Sequence, residues 1–428
     1  MEYIALVMFL LIFALILSGV QVAFVLGGLS AIFGLIFVPD FLDLLPLRIM
    51  GTMKNIVLLA VPLFIYMGLM LEKSGLAESM LSTMSRLFGN IRGGLAVSVI
   101  VVGALLAAST GIVGATVVTM GLISLPAMLK NKYQPELATG VIVSSGTLGQ
   151  IIPPSVVLVL LGSVLNVSVG DLFKAALIPG VLLVVCYIIY VLIISRLKDG
   201  IAPILDENVF TAKVSIRETI VAFLLPFLLI LAVLGSIFAG IASPTEAAAV
   251  GALGATLLTF TQRKLNITVL KEVMKGTTHL TSMVFMILLG ATTFALVFRG
   301  LGGDSFLVEL IENSQLSATM FLLLVMILVF ILGFFIDFIE IIFILVPVVA
   351  PIFISYEVDL IWVGILLALN LQTSFLSPPF GFSLFYLKGV SPEGVTTAHI
   401  YRGVIPFLII QVIILGMAVA FPQLLGII

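Results

Sequence analysis

The apolar residues of this chain stand in long runs separated by short polar stretches, and these runs predict membrane-crossing helices. The runs at 3–20 and 21–38 each come close to the roughly 20 residues that cross a bilayer, and no loop separates them. The runs at 93–129, 137–165 and 322–354 are longer than one span needs, and glycines, prolines or polar residues interrupt them. The pattern therefore predicts an all-α membrane protein in which some apolar segments are broken.

One interruption lies inside the apolar run at 137–165. Between Ser144 and Ser155 the chain places serines, a threonine, two glycines and the pair Pro153-Pro154. Adjacent prolines remove two backbone donors, and broken backbone survives at membrane depth only where it is buried in protein or lines a polar cavity. The freed carbonyls and hydroxyls are therefore predicted to bind a ligand. The alternative is a kinked helix without a ligand, but a kink needs one proline and no cluster of polar residues.

A second copy of this design lies near the other end of the chain. Polar residues from Asn370 to Ser377 again precede a proline pair, and the offset between the pairs, 378 − 153, is 225. The same offset relates Pro126 to Pro351. Two broken segments at matching positions of two halves are the sequence pattern of a secondary transporter's binding site.

Composition excludes other classes of protein. Of the 428 residues, 62% are hydrophobic and 9% charged, and the mean hydropathy is +1.36, whereas a soluble domain carries about 25% charged residues. The net charge of −2 argues against a nucleic-acid partner. Cys186 is the single cysteine, so we predict neither a disulfide nor a cysteine-based metal site, and His279 and His399 lack metal-ligand spacing. The N-terminal run lacks a basic start and a cleavage site, so it is not predicted to be a removed signal peptide.

Basic residues predict the orientation of the middle of the chain. The stretch 196–217, which includes Lys213 and Arg217, and the stretch 263–275 are both rich in Lys and Arg. The apolar segments between them meet at a turn near Ser243 that has no basic residue. The positive-inside rule therefore places both basic stretches in the cytoplasm and this turn outside.

Three stretches carry helix-start patterns. Ser168–Asp171 and Ser243–Glu246 each place an acidic residue three positions after a serine, which is typical of a capping box. In Ser391–Glu393, proline follows the serine and predicts the first turn of another helix. We interpret all three as structural.

The second half contains charges that the first half lacks. Asp337 and Glu340 lie within an apolar run, where a carboxylate costs about 2.5–3.5 kcal/mol on insertion scales. The position that matches Asp337 in the first half is Ile112. We predict that Asp337 helps to hold a cation or pairs with Arg299, while Glu340 faces a pore or a partner subunit. Arg299 ends an apolar run, so it either extends to the membrane surface or meets a carboxylate.

Five stretches together resemble the large membrane subunit (M, or DctM-like) of TRAP transporters, within the ion-transporter superfamily. The most specific is Ser145–Ser155, and the others are Thr110–Gly121, Leu125–Leu129, Leu137–Gly140 and Ser243–Ala248. The resemblance covers essentially the whole chain, although the second half matches less sharply.

The resemblance implies an all-α polytopic membrane protein with two inverted repeats, each containing a helical hairpin and a broken helix, and an elevator-type movement. Its expected divisions are N-terminal scaffold helices at 1–50, the first repeat at 51–190, central scaffold helices with basic cytoplasmic loops at 191–275, and the second repeat at 276–428. It implies a bacterial cytoplasmic (inner) membrane location. The expected partners are the lipid bilayer, a small four-helix membrane subunit (Q, DctQ-like) and a periplasmic substrate-binding protein (P, DctP-like).

The resemblance also implies uptake of an organic acid with Na⁺ as coupling ion and no other cofactor, without enzymatic activity. By position, the first sodium site would use Ser109, Thr110, Ser145, Gly146, Thr147 and the carbonyl of Ile152. The second would use Gly333, Asp337, Asn370, Thr373 and the carbonyl of Ser377. The expected substrate-binding residues are Arg299, Ser144, Gln150 and Gln372.

Three alternatives are weighed against this interpretation. A stand-alone sodium- or proton-coupled carboxylate transporter of the same superfamily would need no binding protein. A channel would show a polar stripe along a pore rather than paired breaks. An intramembrane protease is disfavoured because the stretch Gly300–Asp304 has one glycine too many for a Gly-x-Gly-Asp motif. The substrate remains open among C4-dicarboxylates, 2-oxo acids, lactate-like acids and sugar acids.

Overall fold

A computed structural model describes residues 2–204, 223–314 and 316–427, and within these ranges the chain forms helices and turns without a strand. The predicted all-α class is therefore confirmed. Lys213 and Arg217, part of the first predicted basic stretch, lie outside the described residues.

The first half contains eleven helices among the described residues. In chain order they are α1 (Glu2–Leu17), α2 (Val22–Phe37), α3 (Pro39–Leu42), α4 (Leu45–Met53), α5 (Ala60–Lys73), α6 (Leu76–Phe88), α7 (Gly94–Thr110), α8 (Val113–Lys130), α9 (Pro135–Thr147), α10 (Val156–Leu165) and α11 (Val169–Leu197).

The second half continues with ten helices in the described ranges. They are α12 (Leu225–Phe238), α13 (Pro244–Thr261), α14 (Ile267–Gly300), α15 (Gly303–Asn313), α16 (Ala318–Leu332), α17 (Phe338–Ile344), α18 (Val346–Ser355), α19 (Leu360–Leu376), α20 (Phe382–Val390) and α21 (Thr397–Ala420).

The helices are long and apolar enough for a multi-pass membrane protein. Five helical stretches in the described part could each cross a bilayer, and α17 and α18 form a further pair bent by 50°. On α11, Ile178, Val181, Val185, Ile189 and Ile193 are all exposed, and their spacing of three or four residues puts them on one face. An exposed apolar stripe of this length is explained by contact with lipid.

The predicted repeat recurs in the order of the helices. Adding 225 to the first residues of α8 and α9, Val113 and Pro135, gives Phe338 and Leu360, the first residues of α17 and α19. We call α7 and α8 the first hairpin and α9 and α10 the first broken helix. The second hairpin is α16 to α18, and the second broken helix is α19 and α20. The predicted break in the run at 93–129 falls between α7 and α8. It lies at Gly111, which follows the last residue of α7 and has a left-handed backbone conformation with a φ of +61°.

Contacts at the base of the first hairpin show that the repeats are inverted. Arg92, just before α7, forms an ion pair with Asp199, just after α11, with 2.7 Å between nitrogen and oxygen. His399, in the first turn of α21, lies 3.9 Å from Glu136 at the start of α9. The base of the first hairpin therefore meets the end of α11 and the beginning of α21. Since α11 and α21 occupy corresponding places in the two repeats, they run in opposite directions.

The same end of the molecule carries the basic loops. Arg196 and Lys198 stand at the end of α11, beside the base of the first hairpin. Lys264, before α14, donates to the Gly75 carbonyl (2.9 Å) and to Ser79 Oγ (2.7 Å) at the junction of α5 and α6. The positive-inside rule predicts that this end lies in the cytoplasm, and we call the opposite end of the molecule, where α14 ends, the outer end.

Two of the three predicted helix starts are confirmed. Ser168 Oγ accepts from the Asp171 amide at 3.2 Å at the start of α11. At the start of α13, Ser243 and Glu246 form a full capping box, and the Ser243 amide donates to Glu246 Oε2 at 2.8 Å. These hydrogen bonds to the charged carboxylate lower the pKa of Glu246.

The third predicted start, at Ser391–Glu393, is wrong. The following helix, α21, begins at Thr397, after a turn in which Gly394 has a φ of +95°, far from helical values. Thr396 caps the helix instead, and His399 supplies the side chain that an acidic residue would give a capping box. Proline after serine was an ambiguous pattern, because prolines also begin turns.

The centre of the molecule is formed by α9 and α19. Every side chain from Leu137 to Thr147 and from Val363 to Leu376 is buried, on all faces of both helices. A helix that is buried all round belongs to the core. The first halves of the two broken helices, α9 and α19, are therefore surrounded by protein rather than by lipid.

Candidate binding site at the two broken helices

The first broken helix is interrupted over Leu148–Ser155. A 3₁₀ turn (Leu148–Gln150) follows α9, a cis peptide bond joins Pro153 to Pro154, and α10 begins directly after Ser155. Ser155 Oγ accepts from the Leu158 amide (3.4 Å) and donates to the Gln150 carbonyl (2.8 Å). One serine thus caps the new helix and holds the turn. Because prolines cannot donate, helical backbone pairing stops here.

The tip of the first hairpin packs directly against this break. A Cβ atom added to Gly111 would lie 2.9 Å from the backbone nitrogen of Val156, the first residue of α10. A Cβ atom added to Gly149 would overlap the carbonyl oxygen of Ala107, in the last turn of α7. Only glycine permits these approaches. They bring together the last turns of α7 and α9, which carry the predicted sodium ligands Ser109, Thr110, Ser145, Gly146 and Thr147.

The hydroxyl groups of this cluster donate to carbonyls of their own helices. The acceptors are the Leu106 carbonyl for Ser109 (2.8 Å) and Thr110 (3.0 Å), the Ile142 carbonyl for Ser145 (3.1 Å) and the Ser144 carbonyl for Thr147 (2.9 Å). A hydroxyl whose proton is bound in this way keeps oxygen lone pairs for another partner. The cluster can therefore offer several neutral oxygens to a cation.

The second broken helix repeats this arrangement with different residues. Thr373 Oγ1 donates to the Leu369 carbonyl (2.7 Å), and Ser377 Oγ donates to the Thr373 carbonyl (2.7 Å). Asn370 Nδ2 donates to the Met326 carbonyl (2.6 Å), which ties α19 to α16 of the second hairpin. A Cβ atom added to Gly333 would overlap Ser374. Gly333 and Asn370 thus lie in the contact between the second hairpin and its broken helix, and Thr373 and Ser377 lie within one turn of Ser374 in the same part of α19.

Asp337 and Glu340 lie at the tip of the second hairpin. Asp337 is the N-cap of α17, where its Oδ1 accepts from the Phe338 amide at 2.8 Å. Glu340 Oε2 accepts from the Asp337 amide at 3.1 Å, which completes a capping box. Ile112 is likewise the N-cap of α8, so the position matches across the repeats although the charge does not. The Phe338 ring lies 6.3 Å from that of Phe375, so the capped tip adjoins α19.

The predicted alternative pairing of Asp337 with Arg299 is wrong. Arg299 Nε donates to Asp304 Oδ2 at 2.9 Å, five residues further along the chain. Arg299 stands in the last turn of α14, at the outer end of a 34-residue helix, whereas Asp337 is at the tip of a hairpin. Arg299 is 60% exposed and therefore lies apart from the buried residues with which it was grouped.

The other three predicted substrate residues share one property. Ser144, Gln150 and Gln372 are each 0% exposed, and Ser144 Oγ and both polar atoms of each glutamine amide have no hydrogen-bond partner among the described residues. The 3₁₀ turn that carries Gln150 packs against α19, which carries Gln372. A buried polar group without a partner costs about 1–3 kcal/mol, so such groups call for a functional explanation.

Thr116 and Ser374 also belong to these clusters, although no sequence pattern assigned them to a site. Thr116 Oγ1 lies 2.7 Å from Thr110 Oγ1 across the tip of the first hairpin. Ser374 is fully buried and abuts Gly333. Both stand within the polar stretches that the sequence marks, but their neighbours are set by helix packing.

In the described part, no group of three or more His, Cys, Asp or Glu could hold a metal ion, so an ion site here depends on neutral oxygens, with Asp337 as a nearby carboxylate.

Inverted repeats, paired hairpins and two broken helices that meet in the core define a secondary-transporter fold. The chain matches the family described as "Tripartite ATP-independent periplasmic transporter, DctM component" over residues 9–424. It belongs to this family and is a multi-pass protein of the bacterial inner membrane.

Relatives in the family transport different compounds, according to their names. The chain is 32% identical over 412 residues to the C4-dicarboxylate TRAP transporter large permease protein DctM of Pseudomonas aeruginosa, with 94% of each chain covered. It is 29% identical to the sialic acid TRAP transporter large permease protein SiaM of Vibrio cholerae, covering 96% of this chain and 94% of that one. It is 28% identical to the ectoine TRAP transporter large permease protein TeaC of Halomonas elongata, covering 88% and 87%.

A solved structure shares the fold. The crystal structure of the YdaH transporter of Alcanivorax borkumensis superposes with a TM-score of 0.63 over 94% of this chain and 96% of that one. The two sequences are only 14% identical, so this likeness supports the architecture alone.

Proposed function

We propose that this protein is the sodium-coupled membrane subunit that imports an organic acid handed over by a periplasmic binding protein. The observation that carries the proposal is the set of unpartnered, fully buried polar groups of Ser144, Gln150 and Gln372 where the two broken helices meet. Amide groups donate and accept hydrogen bonds, so a polar solute placed between them can be bound on both its donor and acceptor atoms. The family's relatives are permeases, which supports transport rather than catalysis.

Sodium fits the two hydroxyl clusters better than other coupling ions. Na⁺ is a hard cation that prefers oxygen ligands, and α7, α9, α16 and α19 all end beside the clusters, where C-terminal carbonyls carry partial negative charge. The first cluster contains no carboxylate among its predicted ligands, so proton binding has no obvious acceptor there. In the second cluster, Asp337 adds one negative charge at the tip of the hairpin.

The substrate is proposed to be a carboxylate, and the partners to be a small membrane subunit and a binding protein. The family description is tripartite and periplasmic, which supports two further components. α10 and α20 each begin shortly after one of the two breaks, and helix N-termini attract anionic groups. The stand-alone transporter of the same superfamily lacks this support from the family match.

Transport is proposed to proceed by an elevator movement. In this proposal, the hairpins and broken helices move together, while α5, α13 and α14 belong to the fixed body. α5 packs against both α13 and α14. Inverted repeats around one central site allow the same contacts to form at either membrane surface, which is the physical basis for alternating access.

Thermal unfolding in detergent tests the sodium sites without a known substrate. At fixed ionic strength, replacing KCl by NaCl is expected to raise the melting temperature by on the order of 5 °C once sodium reaches about 100 times its dissociation constant. Thr147→Ala and Thr373→Ala each remove one proposed ligand oxygen, so each is expected to weaken the sodium dependence.

Thr259→Ala is the matched control for these variants. Thr259 is also fully buried, and its Oγ1 donates to the Ala255 carbonyl of its own helix at 2.8 Å, but it lies on α13, away from the breaks. The melting temperature of this variant is expected to differ from that of wild type, but NaCl should raise it by as much as it raises that of wild type. If NaCl raises the melting temperature of all three variants by the same amount, sodium sites at the broken helices are refuted. If NaCl does not change the melting temperature of the wild-type protein, the result counts against sodium coupling.

A further inference from the structure

A cavity of about 730 Å³ lies at the outer end of the molecule, apart from the buried amides. Its walls come from α4, the turn before α5, the end of α10 and the outer half of α14. Its size is within the range of about 300–1,000 Å³ that is typical of sites for small ligands. The charged and polar lining residues that matter here are Arg48, Thr52, Asn55, Ser163, Thr292 and Arg299.

The charge of this cavity is positive. Arg48 and Arg299 both line it, and among the described residues that line it there is no carboxylate. The carboxylate bonded to Arg299 is that of Asp304, which accepts from Nε at 2.9 Å. A guanidinium has five N–H donors, so this single bond leaves Arg299 able to bind a second carboxylate.

The polar walls are joined across the cavity. Asn55 Nδ2 donates to Ser163 Oγ at 3.2 Å, which connects the turn before α5 to α10. Thr52 Oγ1 lies 3.3 Å from Thr292 Oγ1, which connects α4 to α14. An arginine that only extends to the membrane surface needs no such surroundings. Here two arginines from helices distant in sequence share one cavity with hydrogen-bonding side chains.

The cavity lies close to the proposed binding site. Ser163 stands near the outer end of α10, and the inner end of α10 starts at the Pro153-Pro154 break beside Gln150. A ten-residue helix is about 15 Å long, so one short helix separates the two sites. The cavity is on the side from which a periplasmic partner would deliver a solute.

We propose that this arginine cavity is an outer receiving site, in which Arg48 and Arg299 hold the carboxylate of the substrate before it moves inward to the buried amides. The inference rests on the proposed function, because it assigns a role to an anionic substrate. It adds a second, positively charged site on the outer face and names Arg48, which no sequence pattern indicated.

The charge of the cavity can be measured without knowing the substrate. Ala295 lines the cavity four residues before Arg299 on α14, and Ala295→Cys in a Cys186→Ala background provides one reporter thiol in the full chain. Its labelling rates with the anionic reagent sulfonatoethyl methanethiosulfonate and the cationic reagent trimethylammonioethyl methanethiosulfonate are compared in reconstituted vesicles. Removing both charges in Arg48→Gln/Arg299→Gln is expected to lower the anionic-to-cationic rate ratio roughly tenfold at low salt.

Two controls isolate the arginine charges. Arg48→Lys/Arg299→Lys keeps both charges and should keep the ratio, even if the precise hydrogen bonding is lost. Lys198→Gln removes an exposed charge at the opposite end of the molecule, after α11, and it should change the ratio by less than about twofold. If the arginine-to-glutamine pair leaves the ratio unchanged, the proposal is overturned. Should this pair fail to fold, Arg48→Gln alone is expected to lower the ratio about threefold.

Uptake distinguishes failure of this inference from failure of the proposed function. Vesicles that contain the wild-type chain with its small membrane subunit are first tested with succinate, pyruvate, lactate and gluconate supplied with the cognate binding protein, and uptake of none of them would contradict the proposed function. With an acid that is transported, Arg48→Gln/Arg299→Gln should raise the KM about tenfold and change the maximal rate by less than twofold. A lowered labelling ratio with an unchanged KM would show that the cavity attracts anions but is not on the route of the substrate.

Discussion

Gln150→Met and Gln372→Met are each expected to reduce organic-acid uptake to below about 1% of wild type while raising the melting temperature. Both amides are fully buried and unpartnered among the described residues. Methionine has nearly the same length and shape without the amide, so the substitution removes a desolvated polar group and leaves the packing intact. The expected gain in stability is about 1–3 kcal/mol for each site. Uptake is lost because the substrate then meets a thioether in place of a donor and an acceptor.

Gln411→Met provides the matched control. Gln411 is also 0% exposed, but both polar atoms of its amide have a partner: Oε1 accepts from Tyr187 Oη at 2.8 Å, and Nε2 donates to the Leu369 carbonyl at 3.3 Å. This variant is expected to lower the melting temperature, because the buried Tyr187 hydroxyl loses its acceptor and the Leu369 carbonyl loses one of its two side-chain donors. If Gln150→Met and Gln372→Met also lower the melting temperature, the two amides are structural. If these variants keep uptake near the wild-type level, the two amides do not bind the substrate.

Linking residues 55 and 163 through a short thiol-reactive cross-linker is expected to abolish uptake. Asn55 Nδ2 and Ser163 Oγ are 3.2 Å apart, so Asn55→Cys/Ser163→Cys places two thiols within reach of such a linker. In the proposed elevator movement, Ser163 moves with the first broken helix and Asn55 stays with the fixed body. Uptake should fall below about 5% in the linked protein and return after cleavage of the linker by a reductant.

A link within the fixed body separates this effect from chemical damage. Tyr66 Oη on α5 and Thr256 Oγ1 on α13 are 3.0 Å apart, and because a cysteine is several ångströms shorter than a tyrosine, Tyr66→Cys/Thr256→Cys is linked with a longer reagent of the same chemistry. This pair should retain uptake, since α5 and α13 do not separate in the proposed movement. Full activity of the linked 55–163 pair would rule out a sliding movement between α10 and the segment before α5.

The sequence predicted the parts of the fold that depend on local chemistry. Proline pairs and a glycine between Thr110 and Ile112 mark the broken helix and the hairpin tip, because backbone that lacks donors or adopts a positive φ cannot continue a helix. The offset of 225 residues predicted which helices correspond. The inversion of the repeats followed from the family resemblance and was confirmed by contacts such as Arg92 with Asp199, which a single sequence does not contain.

The details of the site depend on packing and were predicted less well. Gln150 and Gln372 stand in polar stretches, but their lack of partners is a property of the packed core. Asp337 and Arg299 looked like possible partners because both are charges near apolar runs, yet one caps α17 and the other ends α14. Arg48 lies in a short amphipathic stretch without any distinctive motif, and only the fold places it beside Arg299 in one cavity.

The most direct test of the central claim is uptake by vesicles that contain the chain with its small membrane subunit. Radiolabelled succinate, pyruvate, lactate and gluconate are supplied with the cognate periplasmic binding protein, under an inward gradient of sodium, of potassium or of protons. We expect accumulation of one class of acid that needs both the sodium gradient and the binding protein. Accumulation without the binding protein would indicate the stand-alone transporter, and accumulation driven by protons in the absence of sodium would contradict coupling through the two hydroxyl clusters.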